Sequence, residues 1–92
     1  MARMVKAIRI HQTGGPEVLR WEDVAIGEPG PGQVLLRHTA VGLNFIDINH
    51  RTGAYRLDSL PAVIGMEGAG VIERVGEAVD GFAEGDRVTY CM

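Results

Sequence analysis

Glycine recurs along the whole chain, and its spacing limits the folds that are open to this sequence. Thirteen of the 92 residues are glycine, which is about 14% and roughly twice the usual share. The glycines lie in short turns that separate runs of apolar and β-branched residues. This pattern is typical of a domain with many turns and short strands, and it does not suit a flexible linker. We therefore predict a mainly β fold.

The runs between the glycine turns predict five strands. These are Met4–Ile10, Glu17–Val24, Gln33–Val41, Ala69–Val75 and Asp86–Tyr90. We expect the first two strands to pair as a hairpin through the loop that contains Gly14 and Pro16. In the second strand Leu19 and Trp21 share one face, so we expect Trp21 to lie in the core or at its edge. Phe82 is the expected apolar anchor of the turn-rich segment that precedes the last strand.

One short helix is predicted at about 45–51. Asn44 suits the N-cap, because its side-chain oxygen can accept a free amide hydrogen of the first turn. Asp47 lies three residues later, where a carboxylate favours the positive end of a helix. Arg51 is spaced to pair with Asp47 across one turn, and Gly53 stands where the helix would end.

Composition excludes several classes of function. Acidic residues outnumber basic residues by 12 to 9 without a basic cluster, so we expect no nucleic-acid partner. No apolar run approaches the length that crosses a bilayer, so we expect no membrane partner. The single cysteine, Cys91, cannot form an internal disulfide, which favours a reducing compartment and a cytoplasmic location.

The chain carries no dinucleotide-binding fingerprint. The nearest glycine cluster, Gly65–Gly70, has its spacing reversed and precedes a strand instead of a helix. The last predicted strand runs almost to the final residue. We therefore expect residues 1–92 to be the front part of a longer protein, with a Rossmann cofactor domain downstream.

Four spaced motifs give the chain a family resemblance. They are His11–Leu19 (HQTGGPEVL), Val41–Gly53 (VGLNFIDINHRTG), Gly65–Gly76 (GMEGAGVIERVG) and Gly81–Val88 (GFAEGDRV). With these motifs the chain resembles the N-terminal, GroES-like catalytic domain of medium-chain dehydrogenase/reductases. Within that superfamily it is most similar to the NADPH:quinone oxidoreductases of the zeta-crystallin-like group. The resemblance implies a partly open GroES-like β-barrel with one short helix and an incomplete C-terminal edge.

Two positions of this chain indicate whether it binds a catalytic zinc ion. The zinc-dependent alcohol dehydrogenases of this superfamily hold a cysteine and a histidine where this chain has Asn44 and Met66. A neutral amide is a poor zinc ligand, and a thioether prefers softer metals. We therefore expect no metal site. Glu67 matches a glutamate that lies behind the zinc in those relatives, and we interpret it here as a hydrogen-bonding group that is either buried or at the edge of a cleft.

The resemblance implies hydride transfer from NADPH to a quinone or an activated carbonyl, such as an enone, with a homodimer as the expected assembly. The cofactor-binding candidates that it implies are Asn44, Phe45, Ile46, Asp47 and Asn49. Asn44 is also a catalytic candidate. The second catalytic candidate is Tyr55, which could donate a hydrogen bond to a substrate oxygen that gains charge as hydride arrives. Arg51 could supply a counter-charge or only pair with Asp47.

Other interpretations stay open at this point. An enoyl-thioester reductase of the same superfamily also works without zinc. A non-catalytic GroES-like module or an inactive fragment is the alternative from a different class, because a fold alone does not determine function. Asn44 as a helix cap and Tyr55 as a half-buried loop aromatic need no ligand at all.

Overall fold

The computed structural model describes residues 3–91. This range forms two three-stranded sheets and one α-helix. In chain order the elements are β1 (Arg3–Ile10), a 3-10 turn (Pro16–Val18), β2 (Arg20–Ile26), β3 (Val34–Gly42), α1 (Phe45–Thr52), β4 (Ala62–Val63), β5 (Glu67–Val75) and β6 (Arg87–Cys91). The predicted mainly β fold with one short helix is confirmed.

The first sheet has the order β2-β1-β4. β1 and β2 form the predicted antiparallel hairpin, in register from Arg3 opposite Ile26 to Arg9 opposite Arg20. β2 starts three residues later than predicted, because Pro16 begins a 3-10 turn that buries Val18. The fixed backbone angle of proline suits the first position of a helical turn, which accounts for the late start of the strand.

The predicted burial of Trp21 is wrong. Trp21 is 65% exposed, and the protected face of β2 carries Glu22, Val24 and Ile26 instead. Glu22 tolerates this face because its carboxylate accepts a hydrogen bond from Arg9 Nε at 2.6 Å and lies 2.5 Å from His11 Nε2. The hydrogen bond from Arg9 and the contact with His11 lower the pKa of Glu22.

The second sheet has the order β3-β5-β6, and both pairings are antiparallel. Gly70 of β5 lies against the β3 backbone, where a Cβ atom would stand 2.8 Å from the carbonyl carbon of Arg37. Only glycine permits this close approach. Gly68 and Gly70 both lie within β5.

One carboxylate joins the two sheets. Glu73 on β5 accepts hydrogen bonds of 2.8 Å from Arg37 on β3 and from Arg3 on β1. These two hydrogen bonds, that of Arg37 first, lower the pKa of Glu73. Arg3 therefore connects β1, the middle strand of the first sheet, to β5, the middle strand of the second.

The sheets enclose little apolar volume. Within residues 3–91 the buried apolar side chains are Ile10, Val18 and Ile72. An open cavity of about 680 Å³ lies against the second sheet and reaches Ile26 of β2. Phe82 lines this cavity as the expected apolar anchor, although its side chain is still exposed. The two sheets do not close on each other, which agrees with the predicted open barrel.

Candidate functional site

Three element ends meet at the candidate site: the end of β3, the start of α1 and the start of β5. Gly42, the last residue of β3, stands opposite Glu67, the first residue of β5. Asn44 follows two residues after Gly42 and is the N-cap of α1. The antiparallel register therefore brings residues 23 positions apart in sequence into contact.

Asn44 is held by two carboxylates. Its backbone N–H donates to Asp47 Oδ2 at 2.9 Å, which is one half of a capping-box arrangement. Its side-chain Nδ2 donates to Glu67 Oε1 at 2.8 Å. The predicted hydrogen-bonding role of Glu67 is confirmed, and the residue that it binds is one of the two catalytic candidates.

Gly42 makes room for the Glu67 side chain. A Cβ atom on Gly42 would collide with Glu67 Oε1 and would lie 2.6 Å from its Cδ atom. Glycine at this position therefore leaves the space in which the Glu67 carboxylate lies. The group that approaches Gly42 is the carboxylate that reaches Asn44.

Asp47 is the buried member of the site. Its side chain is 4% exposed, and Oδ1 has no hydrogen-bond partner within the part of the chain that the structure describes. The predicted ion pair between Asp47 and Arg51 is wrong. Arg51 turns away and donates from Nη1 to the carbonyl of Gly14 at 2.7 Å, while its own carbonyl accepts from the Gly14 N–H. The Arg51 guanidinium therefore binds the loop after β1 instead of Asp47.

The other α1 candidates differ in exposure. Phe45 is 84% exposed next to Asn44, whereas Ile46 and Asn49 are half-buried. The carbonyl of Asn49 accepts hydrogen bonds of 3.1 Å from the backbone N–H groups of Gly53 and Tyr55. Gly53 adopts the left-handed conformation with φ of 92°, so the helix ends as predicted.

Tyr55 lies at the far end of the helix from Asn44. Its side chain is 54% exposed, and its ring meets the edge of His50 with centroids 6.4 Å apart. An eight-residue helix is about 12 Å long, so α1 itself separates the two catalytic candidates. The structure therefore places the two candidates at opposite ends of α1.

A polar pair that sequence reasoning missed lies on the second sheet. His38 Nε2 and Tyr90 OH are 2.9 Å apart. The two rings lie next to each other, beside Gly68. His38 is exposed. The contact between His38 and Tyr90 follows only from the sheet order, in which β3 and β6 both pair with β5.

The described residues provide two further observations on partners. Residues 3–91 contain no group of three or more histidine, cysteine, aspartate or glutamate side chains that could hold a metal ion. The one helix in this range is too short and too polar to cross a membrane.

Comparison with known proteins identifies the family. Residues 30–92 match the alcohol dehydrogenase GroES-like domain. The chain belongs to this family. The match covers more than half of the chain, including the β3, α1 and β5 ends that form the candidate site.

The chain is similar over nearly its whole length to reductases of the quinone oxidoreductase group. It is 49% identical to a quinone oxidoreductase of Pseudomonas aeruginosa, over 95% of this chain and 27% of that protein. It is 48% identical to a 2-haloacrylate reductase of a Burkholderia species, over 97% of this chain and 28% of that protein. The chain thus spans little more than a quarter of the length of these relatives.

A solved structure supports the same placement. The quinone oxidoreductase of Escherichia coli, solved in complex with NADPH, superposes with a TM-score of 0.91 at 38% identity. The superposition covers 95% of this chain and 27% of that protein. The predicted superfamily and its quinone oxidoreductase group are confirmed.

Proposed function

We propose that this chain is the substrate-side part of an oxidoreductase that transfers hydride from NADPH to a quinone or an activated carbonyl. A Rossmann domain in the rest of the complete protein would bind most of the dinucleotide. We further propose that the protein works as a homodimer in the cytoplasm. β6 supports association, because its outer edge has no partner strand among residues 3–91 and unpaired strand edges invite pairing.

The observation that carries the proposal is the fixed, neutral amide of Asn44 beside an exposed apolar surface. Leu43 and Phe45, the neighbours of Asn44 in the chain, are 88% and 84% exposed. A few oriented polar groups on an apolar wall are what small-molecule and cofactor sites present. These residues fit a nicotinamide, which is a flat ring that carries one amide group.

NADPH, when bound, supplies the hydride, and the residues of this chain supply placement and electrostatics. Asn44 would hydrogen-bond the nicotinamide half, and Phe45 and Ile46 would provide apolar contact. Asp47 would contribute indirectly, by holding the Asn44 backbone. Asn49 would line the same helix face, and Tyr55 would donate a hydrogen bond to the substrate oxygen as negative charge develops there.

The proposal includes catalysis without zinc. Asn44 and Met66 occupy the two positions at which zinc-dependent relatives carry metal ligands. An amide that already donates to Glu67 and a thioether form a poor donor set for zinc. Quinones are reactive enough to accept hydride once a donor is held close to them.

The test is an assay of the complete protein that carries this chain. We expect NADPH oxidation in the presence of 1,4-benzoquinone and no stoichiometric zinc by elemental analysis. The same activity should survive dialysis against a chelator. Tightly bound zinc in equimolar amount, or activity only with alcohols, would contradict the proposal.

A second candidate function is reduction of a polarised carbon–carbon double bond. It is favoured by the 48% identity to a 2-haloacrylate reductase. An enoyl thioester is another acceptor of the same kind. Quinone, 2-chloroacrylate and crotonyl thioester should be compared at equal concentrations with the same enzyme. A higher kcat/KM for either alkene would favour the second candidate, and an absence of NADPH binding would favour a non-catalytic module.

A further inference from the structure

Glu67 lies outside the set of residues assigned to the cofactor or the substrate, yet its carboxylate accepts a hydrogen bond from the Asn44 side chain. Its carboxylate is exposed, and Asn44 is its hydrogen-bond partner. The contact joins the first residue of β5 to the N-cap of α1. An exposed glutamate is well solvated by water, so solubility alone does not account for this contact.

The chemistry of this contact determines how the Asn44 amide is oriented. An amide group has a donor end and an acceptor end of nearly equal size, so it can sit in two orientations related by a half turn. An ionised carboxylate only accepts hydrogen bonds. The reversed orientation would place Oδ1 of Asn44 against Oε1 of Glu67, with two acceptors facing each other. Glu67 therefore selects the orientation in which Nδ2 faces β5.

Asp47 and Gly42 complete the arrangement. Asp47 holds the Asn44 backbone through the N–H at 2.9 Å, so the side chain starts from a fixed point. Gly42 leaves the space in which the Glu67 carboxylate lies. Asn44 is exposed, and without these contacts its side chain would sample several rotamers at a cost in entropy on binding.

We propose that Glu67 is a positioning residue for the nicotinamide half of the cofactor. It acts through Asn44 by holding the amide in one orientation before the cofactor arrives. This inference rests on the proposed function. Preorganisation of this kind increases affinity by removing a cost of ordering, and it requires no direct contact between Glu67 and the ligand.

The experiment measures NADPH affinity by fluorescence titration and steady-state kinetics on the complete protein. We expect Glu67→Ala to raise the dissociation constant of NADPH by up to about tenfold, which is the order of the cost of ordering one side chain on binding. Glu67→Gln keeps an acceptor but also offers a donor, so it tolerates both orientations of the Asn44 amide. Its dissociation constant for NADPH should lie between those of the wild-type protein and Glu67→Ala. The KM for quinone should stay unchanged. Glu84→Ala, which removes another exposed carboxylate, is the matched control.

A double-mutant comparison separates positioning from a merely structural role. Asn44→Ala should weaken NADPH binding, and adding Glu67→Ala to it should change the affinity no further. An equal loss from Glu67→Ala in both backgrounds would overturn the inference. Wild-type affinity in Glu67→Ala would overturn it while leaving the proposed function intact, whereas an absence of NADPH binding by the wild-type protein would overturn both.

Discussion

The two ends of α1 hold their candidate residues in different ways. At the start, Asn44 is tied by hydrogen bonds to the side chains of Asp47 and Glu67. At the end, the backbone of Tyr55 is tied to Asn49, but its phenol ring has only an edge contact with His50. The start of the helix is therefore organised before any ligand binds, whereas the tyrosine ring keeps freedom to adjust. This difference suits a fixed cofactor at one end and a variable acceptor at the other.

The largest expected effect comes from breaking the start of the helix. Asp47→Ala removes the acceptor of the Asn44 N–H from a buried position, and we expect a loss of about 1–3 kcal/mol in the free energy of unfolding. Asp47→Asn retains an oxygen at that place and should lose less. Denaturant unfolding of both variants measures the difference. Equal stability of the two would show that the hydrogen bond does not support the start of α1.

A smaller effect is expected when the space above Gly42 is filled. Gly42→Ala places a methyl group where the Glu67 carboxylate lies, and the flexible end of Glu67 can move away at little cost in stability. We expect a loss of up to about tenfold in NADPH affinity, similar to that of Glu67→Ala, because the same contact is broken. Gly27→Ala is the control, since open space surrounds that position. An unchanged affinity would show that Asn44 keeps its orientation without Glu67.

The end of the helix should respond less. Tyr55→Phe removes the phenol hydroxyl from a ring that is 54% exposed, so water can replace part of its hydrogen bonding to the substrate. We expect kcat for quinone to fall by about threefold to tenfold, below the loss typical of an enclosed oxyanion site. NADPH affinity should remain at the wild-type value. A loss of NADPH affinity equal to that of Asn44→Ala would abolish the proposed distinction between the two ends.

The smallest effect concerns a carboxylate remote from α1 and provides a baseline. The pKa of Glu22 in the folded chain is lowered by its contacts with Arg9 and His11. A lowered folded-state pKa means that the ionised carboxylate stabilises the fold above its unfolded pKa of about 4.5, and that this contribution is lost as the pH falls through the lower folded value. Glu22→Gln should therefore shift Tm by a few degrees at most at pH 7 and should flatten the acid dependence of Tm below pH 4.5. A full acid dependence in this variant would assign the effect to other carboxylates, such as Glu73.

Errors in the sequence interpretation occur where a partner from a distant part of the chain overrides a local pattern. The alternation in β2 was recognised, but the buried face was assigned to Trp21. Arg9 and His11, from β1 and the loop that follows it, contact the Glu22 carboxylate and allow the face that carries Glu22 to lie on the protected side. Arg51 was expected to pair one helical turn away, and it binds a carbonyl 37 residues away instead.

The amino-acid sequence by itself determined the elements whose stabilising contacts are local. The bounds of α1, its N-cap at Asn44 and its left-handed end at Gly53 follow from residues within one turn of each other. The tertiary structure alone decided that the Asn44 side chain binds Glu67. The register of β3 and β5 brings Glu67 to it across 23 residues, and no local pattern specifies the register of two strands so far apart in the chain.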